Sequence, residues 1–265
     1  MKHNYSFRWC LAVSFLLLAP AWAQQGSNAA LENVLKKMDS TAANFRTTEA
    51  NFVWDQYQKV VNETDTQKGK VYFRRANHET QMVADITEPE KKHVLFSDSK
   101  VQVYQPRIDQ VTVYPAGKHR AEFESFLVLG FGGGGHDMLK SFDVKYLGSE
   151  KVGNIDAVKL DLVPKSQSIR NTFQHIVLWI DPARGVSVQQ QLVEPSGDYR
   201  LAKYSDIELN QKISDTVFKL KYVTLPLFLI PKHASQCVDR PLLSRLRLQV
   251  FVHDPGLRTN CADLS

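Results

Sequence analysis

The sequence of 265 residues has little of the chemistry that metal sites and catalytic centres need. It holds three cysteines and eight histidines, and neither type follows the Cys-x-x-Cys or His-Glu-x-x-His spacing that is typical of zinc ligands. It also lacks the Gly-x-Ser-x-Gly elbow of hydrolases. Ser125, His136 and Asp137 would make a triad only if geometry were ignored, because a flexible glycine run holds a base poorly. We therefore predict no metal, no cofactor and no enzymatic activity, with a hydrolase as the remote alternative.

A strong charge of one sign is missing as well. The formal net charge is +5 at pH 7, and no dense basic stripe with interleaved aromatic residues is present, so nucleic acid is not an expected partner. One short basic cluster is Lys91-Lys92-His93. We interpret it as a solvated strand end, with a docking patch for an acidic partner or an anionic headgroup as the alternative.

The N-terminus has the pattern of an export signal. Lys2 and Arg8 form a positively charged segment, and a short apolar run, residues 11–20, follows it. Ala21-Trp22-Ala23 then fits small-x-small cleavage. The alternative is an uncleaved anchor, but the run is too short to span a bilayer comfortably. We predict a signal peptide over residues 1–23 and a soluble periplasmic product that is not lipidated there, since no cysteine stands directly after the cleavage point.

Apolar periodicity then changes from helical to strand-like along the chain. A helical stripe covers residues 31–45, with Ser27 or Asn28 as the expected N-cap. Period-two alternation follows over residues 50–114, and strands resume at Val144 and continue to Leu220. Turn residues at 181–185 and 195–198 predict two hairpins. The count is about eleven strands in a mainly β (α+β) fold of one curved antiparallel sheet.

A second helical zone interrupts the strands after Pro115. Its apolar residues are Phe123, Phe126, Leu127 and Leu129. Four consecutive glycines, residues 132–135, then predict a flexible joint, and residues 137–142 predict another helical turn. A phosphate-binding loop is the weaker interpretation, because no Lys-Ser/Thr pair follows and no βαβ unit surrounds the glycines. The two helical zones are the expected cover of the apolar face of the sheet.

Motifs between residues 160 and 220 carry a family resemblance. They are Leu162-x-Pro164-Lys165, Ile-x-Leu-Trp-Ile-Asp at residues 176–181, Gly197-Asp198, Tyr-x-Asp-Ile-x-x-Asn at residues 204–210, and Asp215-x-x-Phe218-x-Leu220. In this order they resemble the LolA-like periplasmic lipoprotein carriers, over roughly residues 31–220. The resemblance implies a single unclosed antiparallel barrel whose helices form a lid over an apolar cavity. It also implies a carrier domain over residues 24–221.

The resemblance further implies a function and a set of partners. The cargo would be the acyl chains of lipoproteins or related lipids, taken from an inner-membrane transporter to an outer-membrane receptor by a monomeric carrier. An envelope-stress sensor or a glycolipid-binding module of the same fold is the alternative. The expected cavity residues, for each of which an ordinary core position is the alternative, are Phe52, Trp54, Val71, Phe73, Met82, Phe96, Val103 and Trp179. The expected lid residues are Leu35, Met38, Phe123, Phe126 and Leu127.

One arginine resembles the residue that helps to hold the lid closed in the family. Arg75 follows Gly69 by the six residues that the family shows, and alternation places it in phase with Val71 and Phe73. An arginine among apolar residues is costly unless it is hydrogen-bonded, so bonds to lid carbonyls would make it a latch. The alternative is an arginine that reaches solvent. Residues 76–79 depart from the family, which has a proline and an apolar pair here, so the resemblance does not extend to the transporter contacts or the ligand class at this point.

The last 44 residues, 222–265, have no pattern that fixes their structure. An extra strand pair, a disordered extension and a segment altered by a reading-frame change all stay open. Cys237 and Cys261 are the two cysteines outside the predicted signal, and an oxidising compartment would allow them to pair. The alternative is that they stay unpaired.

Overall fold

The computed structural model describes residues 21–76, 79–115 and 129–220. Within these ranges, none of the helices has the length and apolar character that crossing a membrane requires. The helices are α1 (Ala21–Ala43), α2 (Gly135–Ser141) and α3 (Gln167–Arg170), with a 3-10 turn at Pro106–Ile108. The strands are β1 (Thr47–Gln58), β2 (Glu63–Ala76), β3 (Glu79–Glu88), β4 (Lys92–Ser97), β5 (Lys100–Gln105), β6 (Gln110–Pro115), β7 (Phe142–Val152), β8 (Ile155–Pro164), β9 (His175–Asp181), β10 (Val186–Val193) and β11 (Tyr199–Leu209).

The eleven strands form one antiparallel sheet that does not close. Their order is β6-β5-β4-β3-β2-β1-β11-β10-β9-β8-β7. Two meanders, β1–β6 and β7–β11, therefore meet where β1 pairs with β11. In the described part of the chain the edge strands β6 and β7 do not pair with each other. The predicted fold class, an unclosed antiparallel barrel of about eleven strands with helices, is confirmed.

Strand alternation gives the sheet two distinct faces. Directly paired residues of antiparallel strands share a face, and the pairs Phe52↔Tyr204, Ala202↔Gln190 and Gln190↔Leu178 connect the two meanders. We call the face that carries Phe52 and Leu178 the inner face. It bears both large apolar clusters, one on β1–β5 and one on β7–β9 beneath α1.

The predicted N-cap of the first helix is wrong. Helix α1 begins at Ala21 and runs without a break through Ser27 and Asn28. Residues 21–30 include alanines and glutamines on both sides of this pair, and these are good helix formers, so the helix continues N-terminal to the pair. The predicted apolar stripe is confirmed, because Val34, Leu35 and Met38 are buried.

The predicted final strand at residues 217–220 is also wrong. Strand β11 ends at Leu209, and residues 215–218 form a turn in which the amide of Phe218 donates to the Asp215 carbonyl at 3.2 Å. The sequence Ser-Asp-Thr at residues 214–216 favours such local bonds over pairing with a strand. The Phe218 ring packs on the outer face with Val83 and Leu95. The segment is thus a strap across the outside of the sheet.

The two predicted hairpin turns are confirmed. Asp181 accepts a hydrogen bond from the amide of Ala183 at 2.8 Å, and Gly185 takes a φ of 68°. At the other turn, Gly197 has a φ of 86° and its amide donates to the Glu194 carbonyl at 2.9 Å. Both glycines occupy backbone conformations that residues with a Cβ adopt with strain.

Candidate functional site

Seven of the eight predicted cavity residues share one cluster on the inner face. Phe52, Val71, Phe73, Phe96 and Val103 are buried there, and Trp54 and Met82 pack against them partly buried. They come from β1 to β5, so the period-two alternation of each strand brings them to the same side. Whether cargo contacts them stays a prediction.

Trp179 is the exception, and its placement in the cavity is wrong. Its ring lies on the outer face, with Ala157, Val177 and Val188, and the Lys159 Nζ is 4.9 Å from the ring centroid. Its neighbours Leu178 and Ile180 point to the inner face instead. Strand β9 is buried on both faces. Its continuous apolar run shows no alternation from which the face of Trp179 could be predicted.

The predicted lid residues divide between described and undescribed parts of the chain. Leu35 and Met38 are buried on α1 and pack in the cluster that contains Leu160 and Leu178 of the sheet. Phe123, Phe126 and Leu127 lie outside the described residues. Helix α1 therefore covers the β7–β9 half of the inner face, as expected for a cover.

Sequence reasoning missed an aromatic residue that covers the other half. Phe131 is only 1% exposed and lies in the inner-face cluster of β1–β5. Its ring stacks on Phe73 with centroids 5.1 Å apart and meets Tyr204 edge to face at 4.8 Å. Such ring pairs contribute beyond the area that they bury. The available signal was a single aromatic between Gly130 and the four glycines, which has no periodicity.

We call residues 129–135, which carry Phe131, the glycine segment. Its start is docked on β10, where the amide of Ser187 donates to the Gly130 carbonyl at 2.9 Å and the Gln190 side chain donates to the Leu129 carbonyl. A Cβ at Gly130, which has a φ of +79°, would lie 2.2 Å from the Ser187 Cβ. A Cβ at Gly132 would lie 2.5 Å from the Phe45 ring. Glycine is therefore required here by close contact as well as by conformation.

Arg75 ties the glycine segment to the end of α1. Its Nη1 donates to the Ala42 carbonyl at 3.0 Å and its Nη2 donates to the Gly132 carbonyl at 2.8 Å. The guanidinium also lies 5.5 Å from the centre of the Phe45 ring. These are the carbonyl contacts expected of a latch, and the negative end of the α1 dipole favours a cation there. That the residue controls opening stays a prediction.

A cavity of about 490 Å³ lies beside this arginine. It is lined by α1, the glycine segment and α2, and its side chains include Met38, Ala42, Arg75, Leu129, Met138 and Phe142. Its volume is within the range of about 300–1,000 Å³ for small-molecule sites in proteins. The cavity is thus bounded mainly by the segments that cover the sheet.

A second set of contacts joins α1 to α2. The Nδ1 of His136 contacts the Asp39 carboxylate, its Nε2 lies 3.4 Å from Glu32, and its amide donates to Asp39 at 3.1 Å. The hydrogen bond that the Asp39 carboxylate accepts from the His136 ring raises the pKa of His136. Hydrogen bonds from His136 lower the pKa of Asp39, against the opposing effect of burial. Gly135 allows this approach, because a Cβ there would lie 2.5 Å from the Leu35 carbonyl oxygen.

Titratable groups on the inner face are engaged in structure rather than arranged for proton transfer. Burial raises the pKa of Tyr204, whose hydroxyl donates to the Gln190 side chain at 3.3 Å. Arg200 and Glu194 form a buried ion pair at 3.3 Å. Among the described residues, no group of three or more His, Cys, Asp and Glu side chains is placed to hold a metal ion. The arrangement offers an apolar surface beneath α1 and the glycine segment.

An open antiparallel half-barrel, covered by a helix and a glycine segment, defines the class of this protein. The family described as outer membrane lipoprotein carrier protein LolA matches residues 43–221. Since this is more than half of the chain, the chain belongs to that family. No curated protein sequence matches it.

Several solved structures are similar to this chain at low identity. MucB is 11% identical with a TM-score of 0.47, over 72% of this chain and 63% of MucB. In the Pseudomonas aeruginosa MucA/MucB complex the values are 13% and 0.46, over 74% and 64%. A putative outer membrane lipoprotein-sorting protein domain from Vibrio parahaemolyticus is 11% identical with a TM-score of 0.40, over 71% and 97%. This chain therefore spans less than two thirds of the MucB chains that it matches.

Proposed function

We propose that this protein is a periplasmic carrier that binds the acyl chains of lipoproteins or related lipids on the inner face of its sheet. The observation that carries the proposal is the position of Phe131. A large aromatic ring is held on the apolar face by a segment with glycines on both sides, and the segment is tied down by a few polar bonds. An ordinary core residue has no need of such a support.

The energetics of an acyl chain explain why such a cover suits a carrier. Each methylene costs about 0.8 kcal/mol to expose to water, so a chain of about fourteen methylenes costs on the order of 11 kcal/mol. The carrier must offset most of this with apolar surface and still release the chain. A cover that occupies the face when it is empty makes loading a competition between similar apolar surfaces, and the net free energy of binding stays moderate.

The proposed location and partners are supported by the family and by the N-terminal pattern. We propose that residues 1–23 direct export, that the carrier acts as a monomer, and that it has no enzymatic activity. Its cargo would come from an inner-membrane transporter and go to an outer-membrane receptor. A sensor of the same fold, which binds a membrane-protein partner and no cargo, is the alternative that the experiment must separate.

Two measurements test the proposal. Protein purified gently from the periplasm should show bound acyl species by native mass spectrometry, and a clean apo mass would count heavily against a carrier. A fluorescent fatty acid titrated into delipidated protein then tests the role of Phe131. Phe131→Ala should bind the fatty acid more tightly than native protein, because the competing ring is gone.

Phe173→Ala provides the matched control. Phe173 is also 1% exposed but lies in the other inner-face cluster, outside the glycine segment. Both variants should lose stability, by about 3–5 kcal/mol for a fully buried Phe. Only Phe131→Ala should gain affinity. Equal or weaker fatty-acid binding by Phe131→Ala would mean that the ring is an ordinary core residue and does not compete with ligand.

A further inference from the structure

The tip of the β1–β2 hairpin exposes two adjacent aliphatic residues. Val60 is 94% exposed and Val61 is 56% exposed. Single exposed aliphatic residues are common and need no explanation. Two neighbouring β-branched residues at the outermost point of a hairpin are different, because they contribute nothing to the folded core and β-branched residues are not favoured in turns.

The hairpin extends well beyond its neighbour in the sheet. Pairing of β2 with β3 begins at Lys68↔Glu88, and residues 63–67 of β2 continue past this pair toward the tip. At a rise of about 3.4 Å per residue, these five residues alone span roughly 17 Å, so the tip stands at least that far past the pair. The tip is thus a protrusion beyond the end of β3.

This protrusion is held in place by contacts with the neighbouring β10–β11 hairpin. The amide of Lys59 donates to the Asp198 carboxylate at 2.9 Å, and Tyr57 stacks on Tyr199 with centroids 4.9 Å apart. The Tyr57 hydroxyl also donates to Asn62 at 3.0 Å across the turn. The valines are therefore presented by a braced turn, so little conformational entropy is lost when they are buried by a partner.

We infer that this tip is a contact site for the surface of a phospholipid bilayer. The side chains are layered in an order that suits a membrane interface. Val60 and Val61 are outermost, Lys59 comes next, and the rings of Tyr57 and Tyr199 lie behind it. The acidic side chains nearest the tip lie behind the two valines: Glu63 and Asp65 are opposite Gln58 and Gln56, and the Asp198 carboxylate accepts from the Lys59 amide. A convex tip also fits the headgroup region better than it fits a second flat protein surface. The inference concerns the outside of the molecule and does not depend on the cargo proposal.

Flotation with vesicles of phosphatidylethanolamine and phosphatidylglycerol in a 3:1 ratio tests this inference on the full chain. Val60→Ser/Val61→Ser should bind roughly tenfold more weakly than native protein, which is about 1.4 kcal/mol. Ile108→Ser/Leu147→Ser is the matched control, because these residues are each 51% exposed and lie off the tip. The control should bind as native protein does. Because the contact is apolar, binding should also persist at 0.5 M salt.

A second measurement reports contact between the tip and the lipid directly. Fluorescence of Val60→Trp should be quenched by brominated lipids in the same vesicles, and fluorescence of Leu147→Trp should not. The inference is overturned if native protein does not float, if both serine variants lose binding equally, or if salt removes binding. If the valine variant instead changes the oligomeric state in sedimentation, the tip joins two copies of the chain and the bilayer inference is wrong. Fatty-acid binding by the tip variant should stay native, which separates this result from failure of the carrier proposal.

Discussion

Replacing Arg75 by Leu should release the glycine segment from the sheet without unfolding the protein. The change removes two hydrogen bonds from a cation to the carbonyls of Ala42 and Gly132. Bonds to charged groups contribute about 1.5–3 kcal/mol each when they are protected from water. Because Arg75 is an exposed residue, we take about 1 kcal/mol for each of its two hydrogen bonds. The sum of roughly 2 kcal/mol predicts a ~30-fold higher population of the open segment.

Hydrogen exchange of one amide reports this opening directly. The Ser187 amide donates to the Gly130 carbonyl, so it exchanges only when the segment leaves β10. We expect its exchange to be ~30-fold faster in Arg75→Leu, and release of a bound fatty acid to be faster as well. Arg74→Leu is the control, because Arg74 contacts Asp215, Gln81 and the Phe218 ring on the outer face. If Ser187 exchanges at the native rate in Arg75→Leu, or equally fast in both variants, the latch interpretation fails.

Three further predictions concern the cover and the strap. Since the pKa of His136 is raised in the folded state, its ion pairs should stabilise the protein fully below the unfolded pKa of 6.5 and lose this effect as pH rises through the raised value. The difference in melting temperature between native protein and His136→Gln should therefore shrink above pH 6.5, and a constant difference would contradict the ion pairs. Gly135→Ala should cost about 1–3 kcal/mol through overpacking against Leu35, whereas Gly134→Ala meets only carboxylate ends and should cost less in urea unfolding. Phe218→Ala should cost about 3 kcal/mol by loss of outer-face packing, and urea unfolding unchanged from native would show that the strap is not part of the folded unit.

The parts of the fold that follow a period were predictable from sequence. Alternation in β1 to β5 places Phe52, Val71 and Phe73 on one face, because one side of each strand is apolar and the other polar. The same reasoning fails for Trp179, since β9 is apolar on both sides. The strand predicted at residues 217–220 is absent because residues 215–218 combine strand-like composition with turn-like local bonds.

The candidate site was only partly predictable for a related reason. Arg75 was predictable because it follows Gly69 by the spacing that the family shows and because strand alternation places it in phase with Val71 and Phe73. Phe131 has neither, since its position follows from tertiary contacts of Gly130 with Ser187 and of Gly132 with Phe45. The pairing of His136 with Glu32 and Asp39 likewise joins residues about a hundred positions apart. A single sequence without tertiary contacts carries no signal for such pairs.

The pairing of β1 with β11 has a consequence for how the chain reaches its native state. Thr48 lies opposite Leu209, and Tyr57 lies opposite Tyr199. The central contact of the sheet therefore joins the first strand to the last, and such long-range contacts form slowly. Until β11 arrives, β1 and β10 each present a long unpaired edge of backbone donors and acceptors, which invites pairing with other chains. On the proposed export route, this protein should need protection from aggregation until its last strand has emerged.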